Sequence, residues 1–312
     1  MDTPILSIYI PTYNHENYIV RALDSVLMQK TQYTYEVLVG EDASTDGTRA
    51  VLKEYEAKHP GKLTVFYRET NMHNSPLPNA ADLKQRCRGK YMIALEGDDF
   101  WIDDQKLEKQ ITFLETHPDY LAVAHNCVVV GEDSEPNGEH YPECKDEEYT
   151  LRHYVSGILP GQLTTVMYRN YMKQEYMDTS VFDLKLNPGD RLLYFALTAH
   201  GKVFCLQETM SAYRHVTTHG SSYSATTQYT FKTDEKWSAG LMHYSFGLRN
   251  PQAKKYAQLI YFRSLVQGLR TNQLSWRGFT EKFSQIQAKT ATIWLYIRSF
   301  IAQHILKRKF WA

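Results

Sequence analysis

The feature that most limits what this chain can fold into is an alternation. A short apolar run from Leu6 to Ile10 stops at Pro11, and Ile19, Leu23, Val26 and Leu27 then recur at helical spacing. A second run, Glu36 to Val39, passes through the turn-forming EDASTDGT to Val51, Leu52 and Tyr55 on one helical face. A third strand fits Leu63 to Tyr67, a helix fits Asn79 to Arg88, and Tyr91 to Leu95 reads as a buried strand running into EGDDFWIDD. Parallel strands need crossovers, and helices of about ten residues supply them, so the pattern predicts an α/β fold: a mostly parallel sheet covered on both faces.

The pattern continues with a helix from about Asp104 to His117 and a strand from Leu121 to Val130. Residues 131–149 are rich in Asp and Glu, contain Pro136 and Pro142, and have no apolar period, which predicts an exposed loop without core. Gln162 to Arg169 reads as a strand, Arg191 to His200 as a helix, and Val203 to Leu206 and Met210 to Arg214 as two further strands. Beyond Ser224 the β signals stop and helical patterns take over. The expected division is a sheet domain over 1–225 and a helical region over 226–312.

The 35 Lys and Arg balance the 35 Asp and Glu, so no electrostatic footprint favours nucleic acid. Cys87, Cys127, Cys144 and Cys205 form no C-x-x-C pair and read as reduced thiols. The N-terminus carries Asp2 where a secretory signal would carry Lys or Arg, and no run of eighteen apolar residues occurs. The expectation is a cytoplasmic protein.

In an open parallel sheet, ligands bind outside the carboxyl ends of the strands, where loops and helix N-termini converge. Three such ends carry Pro11-Thr12-Tyr13-Asn14, Glu41-Asp42-Ala43-Ser44-Thr45-Asp46 and Glu96-Gly97-Asp98-Asp99. Ser44, Thr45 and Asp46 are better read as a turn and helix cap. Asp42 ends a strand instead, where a carboxylate can accept from the N3–H of a uracil ring. Asp98 and Asp99 repel one another unless a cation compensates them, which points to metal over a solvated turn. Asp103 and Asp104 fit the cap of the next helix.

These motifs resemble the family-2 glycosyltransferases, which share the GT-A fold. The likeness lies in SIYIPTYNHENYI, VLVGEDASTDGT, Asn71 and Asn79 ahead of RGKYMIALEGDD, and NPGDRLLYFALTAHGKV, together covering roughly residues 4–224. The resemblance implies a donor site for a nucleotide-diphosphate sugar, read as a UDP-sugar, lined by Pro11, Thr12, Tyr13, Asn14, Glu16, Asp42, Asn79, Glu96, Asp98, Arg214 and His215. It implies Mn²⁺ or Mg²⁺ at Asp98 and Asp99, with Asp99 as the expected direct ligand, and a D-x-D signature whose first acid here is Glu96. The usual paired Asp after the second strand is Glu41-Asp42 in this chain.

Asp190, in NPGD at the start of a helix, is an N-cap on sequence grounds alone; the resemblance makes it the general base of an inverting transfer. Arg214 is the arginine shaped for bidentate diphosphate contact, with His215 and His219 beside it. The implied acceptor is a glycan or lipid-linked glycan. From Thr290 to Ala312 the chain mixes Ile293, Trp294, Leu295, Ile297, Phe300 and Ile301 with Arg298, Lys307, Arg308 and Lys309, and has no acid. That composition suits equally a helix on the inner face of an anionic membrane and a packed terminal helix with a basic end. Three other readings stay open: a sugar-nucleotide pyrophosphorylase, although PTYNHENY lacks its Gly-rich basic loop; a catalytically silent sugar-nucleotide-binding module; and a scaffold acting through the helical end.

Overall fold

The computed structural model of the chain describes residues 3–73, 75, 77–173, 175–216 and 230–301. His219, the expected boundary at 226 and the tail beyond 301 lie outside the described residues. The chain divides into two compact units: Met1–Glu148 with Pro160–Tyr176 and Lys202–Thr227, and Tyr149–Leu159 with Met177–Gly201 and Gln228–Ala312. Two stretches from the middle of the sequence thus group with the helical end, in place of a single cut.

The first unit is built on strands β1 (Leu6–Thr12), β2 (Tyr35–Glu41), β3 (Thr64–Tyr67), β4 (Tyr91–Ala94), β5 (Phe100–Trp101), β6 (Tyr120–Val130), β7 (Met167–Arg169) and β8 (Lys202–Arg214). They lie in the order β3-β2-β1-β4-β7-β6-β8-β5. Strands β1 to β4 are mutually parallel, as is the pair β6 and β8, while β7 and β5 run antiparallel to their neighbours. The sheet is therefore mixed on its far side and parallel where the polar strand ends gather.

Side chains alternate across a strand. Leu6, Ile8 and Ile10 of β1 join one core with Ile19, Leu23 and Val26 of α1 (Ile19–Leu27), Leu52 and Tyr55 of α2 (Thr48–Lys58), and Leu107, Ile111 and Leu114 of α4 (Lys106–Thr116). Tyr9 turns to the other face, where the Lys84 ammonium of α3 (Asn79–Arg86) lies 5.6 Å from its ring. Helices cover both faces, as the buried, unalternating strands require.

Three sequence expectations change. Gln162 to Arg169 is not one strand: the Gln162 side chain accepts from the Thr164 N–H and caps a single 3-10 turn, Leu163–Thr165, before β7. The two strands expected over 203–214 are one, with the polar Gln207-Glu208 set in a bulge against His125 and Asn126. The acidic segment is mostly exposed, yet Cys144 within it is fully buried.

The second unit is helical: α5 (Leu151–Val155), α6 (Ser180–Asp183), α7 (Gly189–His200), α8 (Phe231–Gly247), α9 (Pro251–Arg270), α10 (Trp276–Phe283) and α11 (Lys289–Phe300). Asn250 caps α9 by accepting from Gln252 and Ala253 N–H groups, and Pro251 at its first position lacks a donor the helix could not use. Met242, Tyr261, Phe262, Leu265 and Ile286 form its own apolar core.

Candidate active site

The parallel register sets Thr12 beside Glu41 and places the end of β4 next to that of β1, so the three polar segments meet at one edge of the first unit. The loops are then stitched together side chain to backbone. Asn14 takes the left-handed conformation that Asn tolerates, φ 58°. From there its N–H donates to Ser44 Oγ at 3.1 Å, and its Oδ1 accepts from Thr45 N at 2.8 Å. Glu16 Oε2 accepts from Gly47 N at 2.6 Å, and Asp46 returns the bond by accepting from Glu16 N at 3.1 Å. Asn14 and Glu16, expected at the donor, thus tie the first loop to the second.

Glu41 is fully buried and bonded to Ser44 N at 2.6 Å and to the Arg49 guanidinium at 2.5 Å. Asn79 is a clamp as well: its Nδ2 donates to the Gly40 carbonyl at 2.8 Å and its Oδ1 accepts from Arg68 Nε at 3.1 Å. A Cβ on residue 40 would stand 2.3 Å from Asn79 Oδ1, so only glycine fits there.

Asp42 is differently placed. One carboxylate oxygen accepts from Met72 N at 2.7 Å, and among the described residues no group donates to the other. Burial holds its pKa above the usual carboxylate value, against the pull of the Met72 N–H. It remains a carboxylate with an acceptor oxygen to offer. Thr12 is buried, with its hydroxyl 3.2 Å from His15 Nδ1, while Pro11 and Tyr13 are half-buried at the same edge.

The Glu96-Gly97-Asp98-Asp99 turn packs onto this loop. A Cβ at Gly97 would lie 2.6 Å from Thr12 Oγ1 and 2.7 Å from His15 Nδ1, so the small residue is required for close approach. Asp98 is partly exposed, with Oδ2 3.8 Å from His15 Nε2. Glu96 accepts from Gln162 Nε2 at 3.0 Å. Asp99 is only 1 % exposed; its Oδ1 accepts from Arg214 N at 2.7 Å, and its Oδ2 is buried with no partner among the described residues. Burial first, then the charges of Asp98 and Glu96, drive its pKa well above the carboxylate range despite Arg214.

A buried carboxylate oxygen without a partner, beside two further acids, is chemistry that a cation would compensate. The residues fit a divalent ion. Among the described residues these carboxylates do not bring three ligand atoms together on their own, so such an ion needs oxygens from a ligand to complete its shell.

Arg214 does not present a free fork to a phosphate. Its Nε donates to the Asp98 carbonyl at 2.9 Å, Nη1 to the carbonyls of Gly131 and Glu132 at 2.6 and 2.8 Å, and Nη2 to Ser134 Oγ at 2.8 Å. The guanidinium also lies 4.1 Å from the Tyr18 ring. His215 pairs with Glu139 at 2.5 Å. The acidic loop is thereby fastened to the metal-type turn, a role that composition could not reveal. His15 and Gln162 are the site residues the sequence reading missed; His15 was visible within the polar run that follows β1, whereas nothing in its pattern marked Gln162.

Asp190 lies in the second unit, in the first turn of α7, where a carboxylate suits the helix dipole and accepts from Arg191 N at 2.8 Å. Asp103, expected to cap α4, instead closes the turn before it, accepting from Gln105 N at 2.7 Å and pairing with Lys109 at 2.8 Å; Gln105 is the N-cap residue and makes no side-chain cap bond.

Comparison with known proteins places the chain in a family. The model of glycosyl transferase family 2 matches residues 7–172. An uncharacterized protein of Mycobacterium tuberculosis is 32% identical over 227 residues, covering 71% of this chain and 62% of its own length. The chain thus spans under two thirds of that relative. The putative teichuronic acid biosynthesis glycosyltransferase TuaG of Bacillus subtilis is 31% identical over 208 residues, 66% of this chain and 78% of TuaG. The crystal structure of Staphylococcus aureus TarS 1-349 in complex with UDP-GlcNAc superposes with a TM-score of 0.62 at 18% identity, covering 96% of this chain and 80% of that one. It shares the GT-A fold.

Proposed function

The chain belongs to glycosyl transferase family 2, and from that premise we propose that it moves a sugar from a UDP-sugar to a hydroxyl of a glycan or lipid-linked glycan, with inversion and with a divalent cation, in the making of a cell-surface polysaccharide. The observation that carries the proposal is the acidic turn after β4, which sets the accessible carboxylate of Asp98 beside the buried Asp99 at the same sheet edge as Asp42. Teichuronic acid biosynthesis, in the name of TuaG, and UDP-GlcNAc, in the TarS complex, support the polymer and the donor class.

Asp42 accepts from the uracil N3–H with its available oxygen, while Thr12 and Tyr13 pack on the base. In this reading Asp98, the more accessible carboxylate, takes the place of Asp99 as the direct metal ligand, because Asp99 is buried and bound to Arg214 N. When bound there, Mn²⁺ or Mg²⁺ supplies positive charge to the departing diphosphate. Arg214 keeps the turn in shape by gripping its backbone. Asp190 takes the proton from the acceptor hydroxyl as it attacks.

Among the described residues no helix is long and apolar enough to cross a membrane. Ile293, Trp294, Ile297 and Phe300 of α11 are nonetheless exposed, and the proposal places this face on an anionic bilayer, next to a lipid-linked acceptor.

The test is calorimetry with UDP, GDP and CMP, each with Mn²⁺ and again with EDTA. Binding of UDP that needs Mn²⁺ and vanishes in Asp98→Ala is the expected result; equal binding with EDTA removes the metal, and no nucleotide binding removes the transferase reading.

A further inference from the structure

The second unit contains a cavity of about 360 Å³ where α5, α7, α8 and α9 meet. Its wall includes Tyr154, Arg191, Asp234, Trp237, Arg263 and Ser264. Helix bundles ordinarily fill such junctions with apolar side chains; here Val155, Leu159 and Ile260 share the wall with polar and charged groups. The Tyr154 hydroxyl, the Trp237 Nε1–H and the Ser264 hydroxyl are all buried without a hydrogen-bond partner among the described residues. A buried donor or acceptor that nothing meets destabilises the fold. Three on residues that line one cavity, out of the few among the described residues, put unmet hydrogen-bonding groups in its wall, within reach of a ligand with oxygen atoms once their side chains turn.

The charges narrow the class. Two guanidiniums, Arg191 and Arg263, face one carboxylate, Asp234, around the same space. Arg263 Nη1 donates to the Val155 carbonyl at 2.6 Å, which fixes the group at the wall. Indole N–H and guanidinium can only donate. Tyr154 stays a phenol, because burial raises its pKa and Asp190 opposes the help of Arg191. Arg191 in the wall belongs with Asp190 to the first turn of α7, so the cavity adjoins the start of that helix.

We propose that this cavity is an acceptor subsite for an oxyanion-bearing sugar or polyol unit, whose phosphate or carboxylate meets Arg191 and Arg263 and whose hydroxyls meet Tyr154, Trp237 and Ser264. The proposal rests on Asp190 being the base of the transfer, since that is what makes the neighbourhood the acceptor side. A volume of this size admits one such unit.

The full-length chain is titrated calorimetrically with ribitol 5-phosphate and sodium glucuronate, and with neutral ribitol and glucose. A parallel titration uses UDP with Mn²⁺. One or both anions should bind at least tenfold more tightly than their neutral counterparts, and which one binds tells phosphate from carboxylate. Arg191→Gln, an exposed position that leaves the fold intact, should weaken the anion at least fivefold without moving the UDP titration; Trp237→Phe should weaken it by a smaller factor. Neutral and anionic probes binding alike, or anion binding untouched by Arg191→Gln, overturns the proposal. UDP binding with no anion binding at millimolar concentration sinks the subsite and leaves the donor reading standing. Anion binding without UDP binding strips the cavity of its acceptor role, and the failure then lies with the transferase reading.

Discussion

Arg214 holds the acidic turn from two sides at once: its backbone N–H donates to Asp99 Oδ1 at 2.7 Å, and its Nε donates to the Asp98 carbonyl at 2.9 Å. The rest of its guanidinium reaches the 131–134 loop. The expected outcome of Arg214→Lys is therefore loss of shape and not loss of charge. An ammonium lacks the fixed fork that spans these acceptors. Several buried bonds are lost at about 1 kcal/mol each, so thermal unfolding should show a drop of at least ~2 kcal/mol. UDP binding in the presence of Mn²⁺ should weaken with it. An unchanged melting temperature with weakened UDP binding would mean that Arg214 meets the phosphate after all.

Asp98 and Asp99 are adjacent and separable. In EDTA, Asp99→Asn should stabilise the protein, because it retains an acceptor for Arg214 N and removes a buried charge that Asp98 and Glu96 oppose. The gain should be about 1 kcal/mol or more. Asp98→Asn changes a more exposed group and should leave metal-free stability nearly unmoved while lowering Mn²⁺ affinity at least tenfold. Denaturation with and without Mn²⁺ reads both effects, and equal behaviour of the two variants would refute the distinction.

Asp190→Asn should spare UDP binding and reduce turnover by about a hundredfold or more, the usual worth of a general base. The measurement is a steady-state rate alongside calorimetry on the same preparation. Turnover close to that of the parent would withdraw the base.

Lys106 offers a test of the buried framework under the site. It is fully buried, donates to Gln110 Oε1 at 2.7 Å and lies 4.2 Å from the Trp101 ring. Burial pushes its pKa well below the ordinary 10.5. The unfolded chain then binds a proton that the folded chain has released, so stability from this residue rises with pH between the lowered value and 10.5. Lys106→Met should flatten that rise and stabilise the protein near neutrality by about 1 kcal/mol or more. Urea denaturation from pH 7 to 10 decides it, and parallel curves for parent and variant would contradict the assignment.

The strand and helix order was legible because β1 to β4 and their crossovers carry clean periods, and because Pro11 and the Asp-Gly turn punctuate them. Helices α5 and α6 escaped because four or five residues are too short to show a period. The edge that gathers the polar strand ends was legible too, since any parallel sheet creates one. What was not legible is which side chains there bond to the protein itself. Asn14, Glu16, Asn79 and Arg214 have the right chemistry for a ligand, but three-dimensional neighbours claim them; Asp42 and Asp98 keep oxygens to offer. Residue type tells what a group can do, and only packing tells whether it is already engaged.

The exposed face of α11 leads to the last prediction. Thr292, Leu295 and Ser299 are buried, whereas Trp294 is 58% exposed and Ile293, Ile297 and Phe300 are exposed too. At about 100° per residue, 293, 297 and 300 fall within roughly 60° of one another, opposite the buried set. From residue 283 to the end the sequence has Lys289, Arg298, Lys307, Arg308 and Lys309 and no acid, so the stripe is joined to positive charge. Both terms favour an anionic bilayer, the apolar face by burial and the basic residues by about 1 kcal/mol each near the surface. The chain should co-sediment with phosphatidylglycerol vesicles, much less with phosphatidylcholine, and release as salt is raised. Trp294→Ser with Ile297→Ser should abolish sedimentation without altering UDP binding. If the double variant still sediments, the stripe is not the docking face; if neutral vesicles bind equally well, the basic residues have no part in it.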